Sequence, residues 1–307
     1  MIDTDLSPLA LAGISGLFGV CVGSFLNVAI YRLPKEGLRV WKPARSFCPG
    51  CQRQLEWSEN IPVLSWAVQG GRCRGCKGRI SVRYPLVELL TAACWAWMGW
   101  ITPAEQWPML LVRLMVLSAL LVATFVDFDC FEIPDEVSIG GMVVAPLVSF
   151  LVPELHAASP IARWVADGAE PGRGAAVVAS LCGIAVGGGV LLAVGWIGEK
   201  LLGKEAMGLG DVKLLGAAGG FVGGGGALFA LVLASMVGAV IGVGNILRLH
   251  CELRSRVRRR GARTTSAQSF AIARACGQML PFGPYLALGT VVVLLYWEAV
   301  STRFWPA

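Results

Sequence analysis

Charge is scarce in this chain. Of its 307 residues only 15% are charged while 55% are hydrophobic, and the mean hydropathy is +0.66. A soluble domain carries about 25% charged residues, so a water-soluble globular protein is excluded. Histidine is scarcer still: only His156 and His250 occur, and no H-E-x-x-H metalloprotease motif can be drawn from them. No internal repeat of the kind transporters use is found, nor a glycine-rich strand-to-helix fingerprint for a nucleotide-like cofactor.

What the chain does have is apolar runs. Crossing about 30 Å of hydrocarbon takes a helix of roughly 20 residues, fewer where the bilayer thins. Eight segments qualify, at about 9–31, 85–102, 108–126, 137–152, 175–198, 211–223, 226–249 and 279–298. The expected fold class is an all-α polytopic membrane protein of about eight transmembrane helices. The sixth segment is short because Gly219 to Gly226 holds six glycines, and Gly223 to Gly226 reads as a tight turn. The first has no basic stretch before it and no small-residue cleavage site leading into a soluble chain, so it reads as a retained span.

The net charge is +6, but its placement says more than its sum. Eleven of the 26 Lys and Arg fall between Arg32 and Arg83 and eight between Arg248 and Arg274. Loops rich in Lys and Arg stay cytoplasmic. If the loop after span one is cytoplasmic, so are those after spans three, five and seven, and the second basic segment indeed follows span seven. Parity puts Asp127 and Asp211 on the cytoplasmic face and His156 opposite, so a Ser-His-Asp arrangement there would have only His250 to use. The tract Arg254 to Arg263 is expected against anionic lipid headgroups. Nucleic acid is not an expected partner, because no aromatics are interleaved to stack on bases.

Three divisions are expected: a first span at 1–31, a cytoplasmic module at 32–84, and a seven-span unit at 85–307. The module is punctuated by proline and glycine and has too few residues to be stable on its core alone. Cys48-Pro49-Gly50-Cys51 and Cys73-Arg74-Gly75-Cys76 supply what is missing. Two C-x-x-C turns, 21 residues apart, suit a tetrahedral zinc site of Cys48, Cys51, Cys73 and Cys76. Disulfides are the alternative in an oxidising compartment. Four sulfurs leave no position open for water, so such a zinc would be structural. Arg72, Arg74, Lys77 and Arg79 surround the second turn and would suit an anionic partner or plain solvation. Cys21, Cys94, Cys130, Cys182, Cys251 and Cys276 read as small core residues.

Asp127 closes one apolar run and Asp211 follows Gly208-Leu209-Gly210 before another. Carboxylates at a membrane boundary are costly to desolvate, and their retention points to function. Asp127, Asp129, Glu132 and Asp135 lie within nine residues and would repel one another. Asp211 before Val212-Lys213 also suits a helix N-cap. Held close, two carboxyls share one proton, so one can activate water while the other donates to a carbonyl oxygen. Peptide hydrolysis fits that pair.

The motifs resemble those of type IV prepilin peptidases, bifunctional leader peptidases and N-methyltransferases. They are Gly23-Ser24-Phe25-Leu26-Asn27-Val28, Tyr31-Arg32-Leu33-Pro34, the cysteine pairs flanking Asn60-Ile61-Pro62, Arg83-Tyr84-Pro85-Leu86-Val87-Glu88, Asp127 with Ile133-Pro134-Asp135, Gly208-Leu209-Gly210-Asp211, and Pro281-Phe282-Gly283-Pro284. The resemblance implies that Asp127 and Asp211 are the catalytic pair of a G-x-G-D membrane aspartic peptidase of the inner membrane. It implies a prepilin or pseudopilin substrate cut just after glycine on the cytoplasmic side. It further implies S-adenosylmethionine as methyl donor for the new amino terminus, and ties that second activity to the cysteine module. Basic leaders would be attracted by Asp129, Glu132, Asp135 and Glu136. Two segments depart from the family pattern, a long Val152 to Gly174 and a basic Arg254 to Gln278. Two other readings stay open: an ion or proton transporter or scaffold with a structural zinc module, and a G-x-G-D intramembrane protease with another substrate.

Overall fold

The computed structural model describes residues 6–167, 171–203, 207–259 and 280–304. Among them there is no strand, only helices and three isolated β-bridges. The helices are α1 (Pro8–Arg32), α2 (Leu64–Val68), α3 (Arg83–Ile101), α4 (Trp107–Cys130), α5 (Asp135–Leu151), α6 (Pro160–Val165), α7 (Arg173–Leu202), α8 (Leu209–Arg259) and α9 (Gly283–Phe304). Local chemistry sets their ends. Ser7 Oγ accepts from Ala10 N at 3.2 Å to start α1, and Gly203 in the left-handed region (φ 64°) stops α7.

Among the described residues, four helices are long and apolar enough to cross a membrane: Pro8–Arg32, Ala104–Cys130, Arg173–Leu201 and Leu209–Ser255. The last of these is not one straight rod. At 1.5 Å per residue, α8 with its 51 residues would far exceed a bilayer. Gly223, at φ 71° and ψ 169°, breaks it. Ala227, four residues past the break, returns against Gly219, four before it: a Cβ placed on Gly219 would lie 3.3 Å from Ala227 Cβ. The chain therefore reverses at 223, as the glycine run suggests, but at the one position where only glycine fits the backbone; Gly224 to Gly226 are helical.

Packing follows small residues. Gly16, Gly19 and Gly23 of α1 meet Ala92, Trp95, Ala96 and Glu88 of α3, and Gly183 of α7 lies directly on the Gly219 carbonyl of α8. In a lipid-like setting close backbone approach replaces the hydrophobic drive between helices. The main core joins α4, α5, α7, α8 and α9 through Leu120, Ala123, Ile133, Ala145, Leu191, Leu215, Phe221 and Leu286. A second cluster, Leu26, Ile30, Val87, Val122 and Val126, seats α1 and α3 on α4. The outside is apolar as well, with Leu17, Phe18, Leu192, Met236 and Val240 exposed, as a hydrocarbon-facing surface requires. Cysteines follow that surface rather than the core: Cys21, Cys130 and Cys251 are exposed and Cys94 and Cys182 half-buried, which corrects the expectation of core residues. Cys276 lies outside the described residues, as does most of Arg254 to Gln278. Between α5 and α7, the Val152 to Gly174 segment forms a short turn (Pro153–His156) and α6.

Candidate active site and cysteine module

Asp127 sits in the last turn of α4, just before the chain turns left-handed at Phe131 (φ 55°) and runs through Ile133 and Pro134 into α5. It is 5% exposed. Its Oδ2 accepts from Gly283 N at 2.9 Å, at the first residue of α9. That bond, between residues 156 apart in sequence, orients the carboxyl. A Cβ on Gly283 would lie 2.6 Å from Asp127 Oδ2, so the close approach depends on glycine there. Asp211 is half-buried in the first turn of α8, two residues after its start, and so is not the N-cap its sequence context suggests. Gly210 lets α8 press on α4–α5: a Cβ there would be 3.3 Å from Ile133 Cβ.

The two aspartates share one cleft of about 650 Å³ and lie within electrostatic reach of each other. The loop from Leu33 to Leu38, residues 131–136 and residues 208–213 complete its walls. Of the four clustered acids, two are already paired. Arg83 Nη1 lies 2.6 Å from Asp129 Oδ2, and Lys213 Nζ lies 2.7 Å from Asp135 Oδ1. The expected four-way repulsion is therefore reduced, because the structure brings in cations from residues 46 and 78 positions away. Glu36, Glu132 and Glu136 remain exposed around the cleft.

In the module, each cysteine pair forms the same small hairpin. Bridges Phe47↔Gln54 and Arg72↔Arg79 bracket the two turns, and Gln52 and Lys77 take equivalent left-handed conformations (φ 59° and 56°). The four Sγ atoms lie within 4.8 Å of one another, with Cys48 and Cys76 at 3.9 Å. Tetrahedral bonds of about 2.3 Å to one ion require sulfurs about 3.8 Å apart, so the group could hold a metal ion. Backbone amides of Cys76 and Gly75 pull the Cys73 thiol down from its ordinary value, toward the thiolate a metal needs.

Buried polar residues tie module to helices. Arg32, 3% exposed, donates to the carbonyls of Val40 and Pro43 at 2.7 Å each. Asn27 Nδ2 donates to Tyr84 O at 2.9 Å. Val63 N donates to Glu88 Oε2 at 2.7 Å. Inside the module, Arg53 meets buried Glu59 at 2.5 Å, and that hydrogen bond holds the Glu59 carboxyl below its usual range. Sequence reasoning missed the roles of Gly283, Arg32, Arg83, Lys213 and Glu88. Pro281 and Pro284 around Gly283 mark a helix start, but nothing local names its partner.

The chain matches the bacterial peptidase A24 N-terminal domain over residues 17–102 and the type IV leader peptidase family over residues 114–243. It is 33% identical to a prepilin leader peptidase/N-methyltransferase of Aeromonas hydrophila, over 93% of this chain and 90% of the relative. A protein of the same description from Pseudomonas aeruginosa is 31% identical over 97% and 94%. A type 4 prepilin-like proteins leader peptide-processing enzyme of Escherichia coli is 31% identical over 94% of both. No solved structure matches. With relatives at this identity matched over nine-tenths or more of both chains, the chain belongs to the type IV leader peptidase family.

Proposed function

We propose that this protein is a membrane aspartic endopeptidase that removes the leader of prepilins or pseudopilins and methylates the amino terminus it exposes. The observation that carries the peptidase half is the common cleft of Asp127 and Asp211 at the ends of two apolar helices. In this reading the pair shares a proton: the ionised member takes a proton from water as oxygen attacks the scissile carbonyl, and the protonated member donates to the carbonyl oxygen. The Gly283 amide holds Asp127 in position for this. The eight apolar segments expected from the sequence each coincide with a helix or an arm of α8, which supports a multi-pass chain with the cleft on the cytoplasmic side, where basic loops collect. A pilin helix would then stay in the bilayer while its leader enters the cleft.

Cys48, Cys51, Cys73 and Cys76 would hold a structural zinc, which closes the two hairpins on each other and takes no part in hydrolysis. S-adenosylmethionine supplies the methyl group. Basic leaders would be drawn by Glu36, Glu132 and Glu136, since Asp129 and Asp135 are occupied by Arg83 and Lys213. Purified protein incubated with a prepilin tests the whole reading. Asp127→Asn and Asp211→Asn should each reduce cleavage by at least about 1,000-fold, and Glu132→Lys with Glu136→Lys should slow cleavage of basic leaders more than neutral ones. An active protease after either aspartate change would refute the pair, and equal rates on both leaders would remove the steering.

A further inference from the structure

A second cavity, of about 380 Å³, lies between the cysteine module and helices α1 and α3. Its lining includes Ser24 and Asn27 of α1, Phe47 and Trp66 of the module, and Tyr84 and Glu88 at the start of α3. The volume falls in the range of about 300–1,000 Å³ that small organic ligands occupy, and aromatic walls with a few convergent polar groups are the usual make-up of such a site. Glu88 is 7% exposed, and among the described residues it is met by the Val63 amide and the Ser24 hydroxyl but by no cation. A buried carboxyl with no counter-ion is costly to ionise, and a bound cationic ligand would supply the missing partner; aromatic faces favour a weakly hydrated cation further.

We infer that this cavity binds S-adenosylmethionine, with Glu88 facing its sulfonium and the aromatic residues packing its adenosine. The inference rests on the methyltransferase reading above and adds where the donor sits. No strand is present among the described residues to build a nucleotide-binding sheet, whereas this cavity has the size and the position, and Glu88 is a carboxyl in its wall that neither Arg32 nor Arg79, which also line it, meets. Position matters because the amine is generated in the aspartate cleft. Arg32 lines the cavity and the next residue, Leu33, lines the cleft, so the two sites meet at the end of α1. On transfer the N–CH3 bond forms as the C–S bond breaks, the C–S electron pair stays on sulfur as a neutral thioether, and the positive charge passes to nitrogen. The amine must enter unprotonated, its ammonium proton having gone to water.

The test is equilibrium binding of tritiated S-adenosylmethionine to the purified full chain without any pilin. Variants are Glu88→Gln, which keeps an oxygen to accept from Val63 N, and Ser65→Trp, which fills the cavity; metal content and elution volume check that both are folded. The expected result is at least a tenfold weaker Kd for Glu88→Gln and no measurable binding for Ser65→Trp. Wild-type affinity in both variants would overturn this site while leaving the methyltransferase reading standing. No binding by the wild-type chain would overturn both. Ultraviolet cross-linking of the tritiated donor to the wild-type chain gives an independent answer: label on peptides bearing Phe47, Trp66 or Tyr84 supports the site, and label confined to α7–α9 overturns it.

Discussion

At the scale of single residues, the cleft is governed by which groups the fold supplies to four neighbouring acids. Asp127 receives an amide hydrogen bond, Asp129 and Asp135 receive cations, and Glu132 remains exposed. Chemically similar side chains a few positions apart thus acquire different tasks from their surroundings. Gly283 tests how finely Asp127 is held. In Gly283→Ala the new Cβ would stand 2.6 Å from Oδ2 and 3.2 Å from Ile133 Cδ1, so the carboxyl must shift. A displacement approaching 1 Å costs a catalytic pair about 10–100-fold. Steady-state cleavage of a prepilin should show that fall in kcat with little change in KM, and an unchanged kcat would show that the amide bond does not position Asp127.

At the scale of elements, the module and the helices are stabilised by different means. Residues 33–82 hold one five-residue helix and one three-residue turn, so the cysteine cluster and buried polar contacts replace a hydrophobic core. Metal binding in such a unit is largely its folding free energy. Cys48→Ser should therefore drop zinc from one per chain to nearly none by elemental analysis, and trypsin should cut within 39–83 at least tenfold faster. Methylation should fall while cleavage persists, because the aspartates sit on α4 and α8. Retained zinc would show that the four sulfurs are not the ligands. The helices instead rely on glycine contacts, as between α1 and α3 and between α7 and the reversed α8.

At the scale of the whole molecule, the end of the bundle far from the aspartates carries a buried titratable group. His156 is 1% exposed, meets Ser149 Oγ at 3.0 Å, and lies beside the reversal at Gly223. Burial pushes its pKa down from 6.5 to about 4. The unfolded chain takes up a proton as pH falls through 6.5, whereas the folded chain resists until about 4. Stability is therefore complete above 6.5 and is lost as pH drops toward 4, with about 2 kcal/mol gone by about pH 5. Thermal unfolding in detergent at pH 7 and about pH 5 should show this loss, and His156→Gln should flatten it. An equal pH dependence in the variant would assign the effect to other groups.

Composition and periodicity determined much of this protein by themselves. Apolar runs dictate helices because a bilayer leaves backbone groups no other partner. The paired C-x-x-C spacing dictates two matched hairpins, and the glycine run dictates a reversal, since these are local consequences of chain geometry. Tertiary structure alone decided what meets across long sequence distances: Gly283 on Asp127, Arg83 on Asp129, Lys213 on Asp135, and the cavity bounded by Glu88 and the module. It also turned Cys21, Cys130 and Cys251 outward, because in an apolar medium a small hydrophobic side chain gains little by hiding. A pattern in sequence states which face of a helix is apolar, but when both inside and outside are apolar, packing of glycines and rare hydrogen bonds chooses the face.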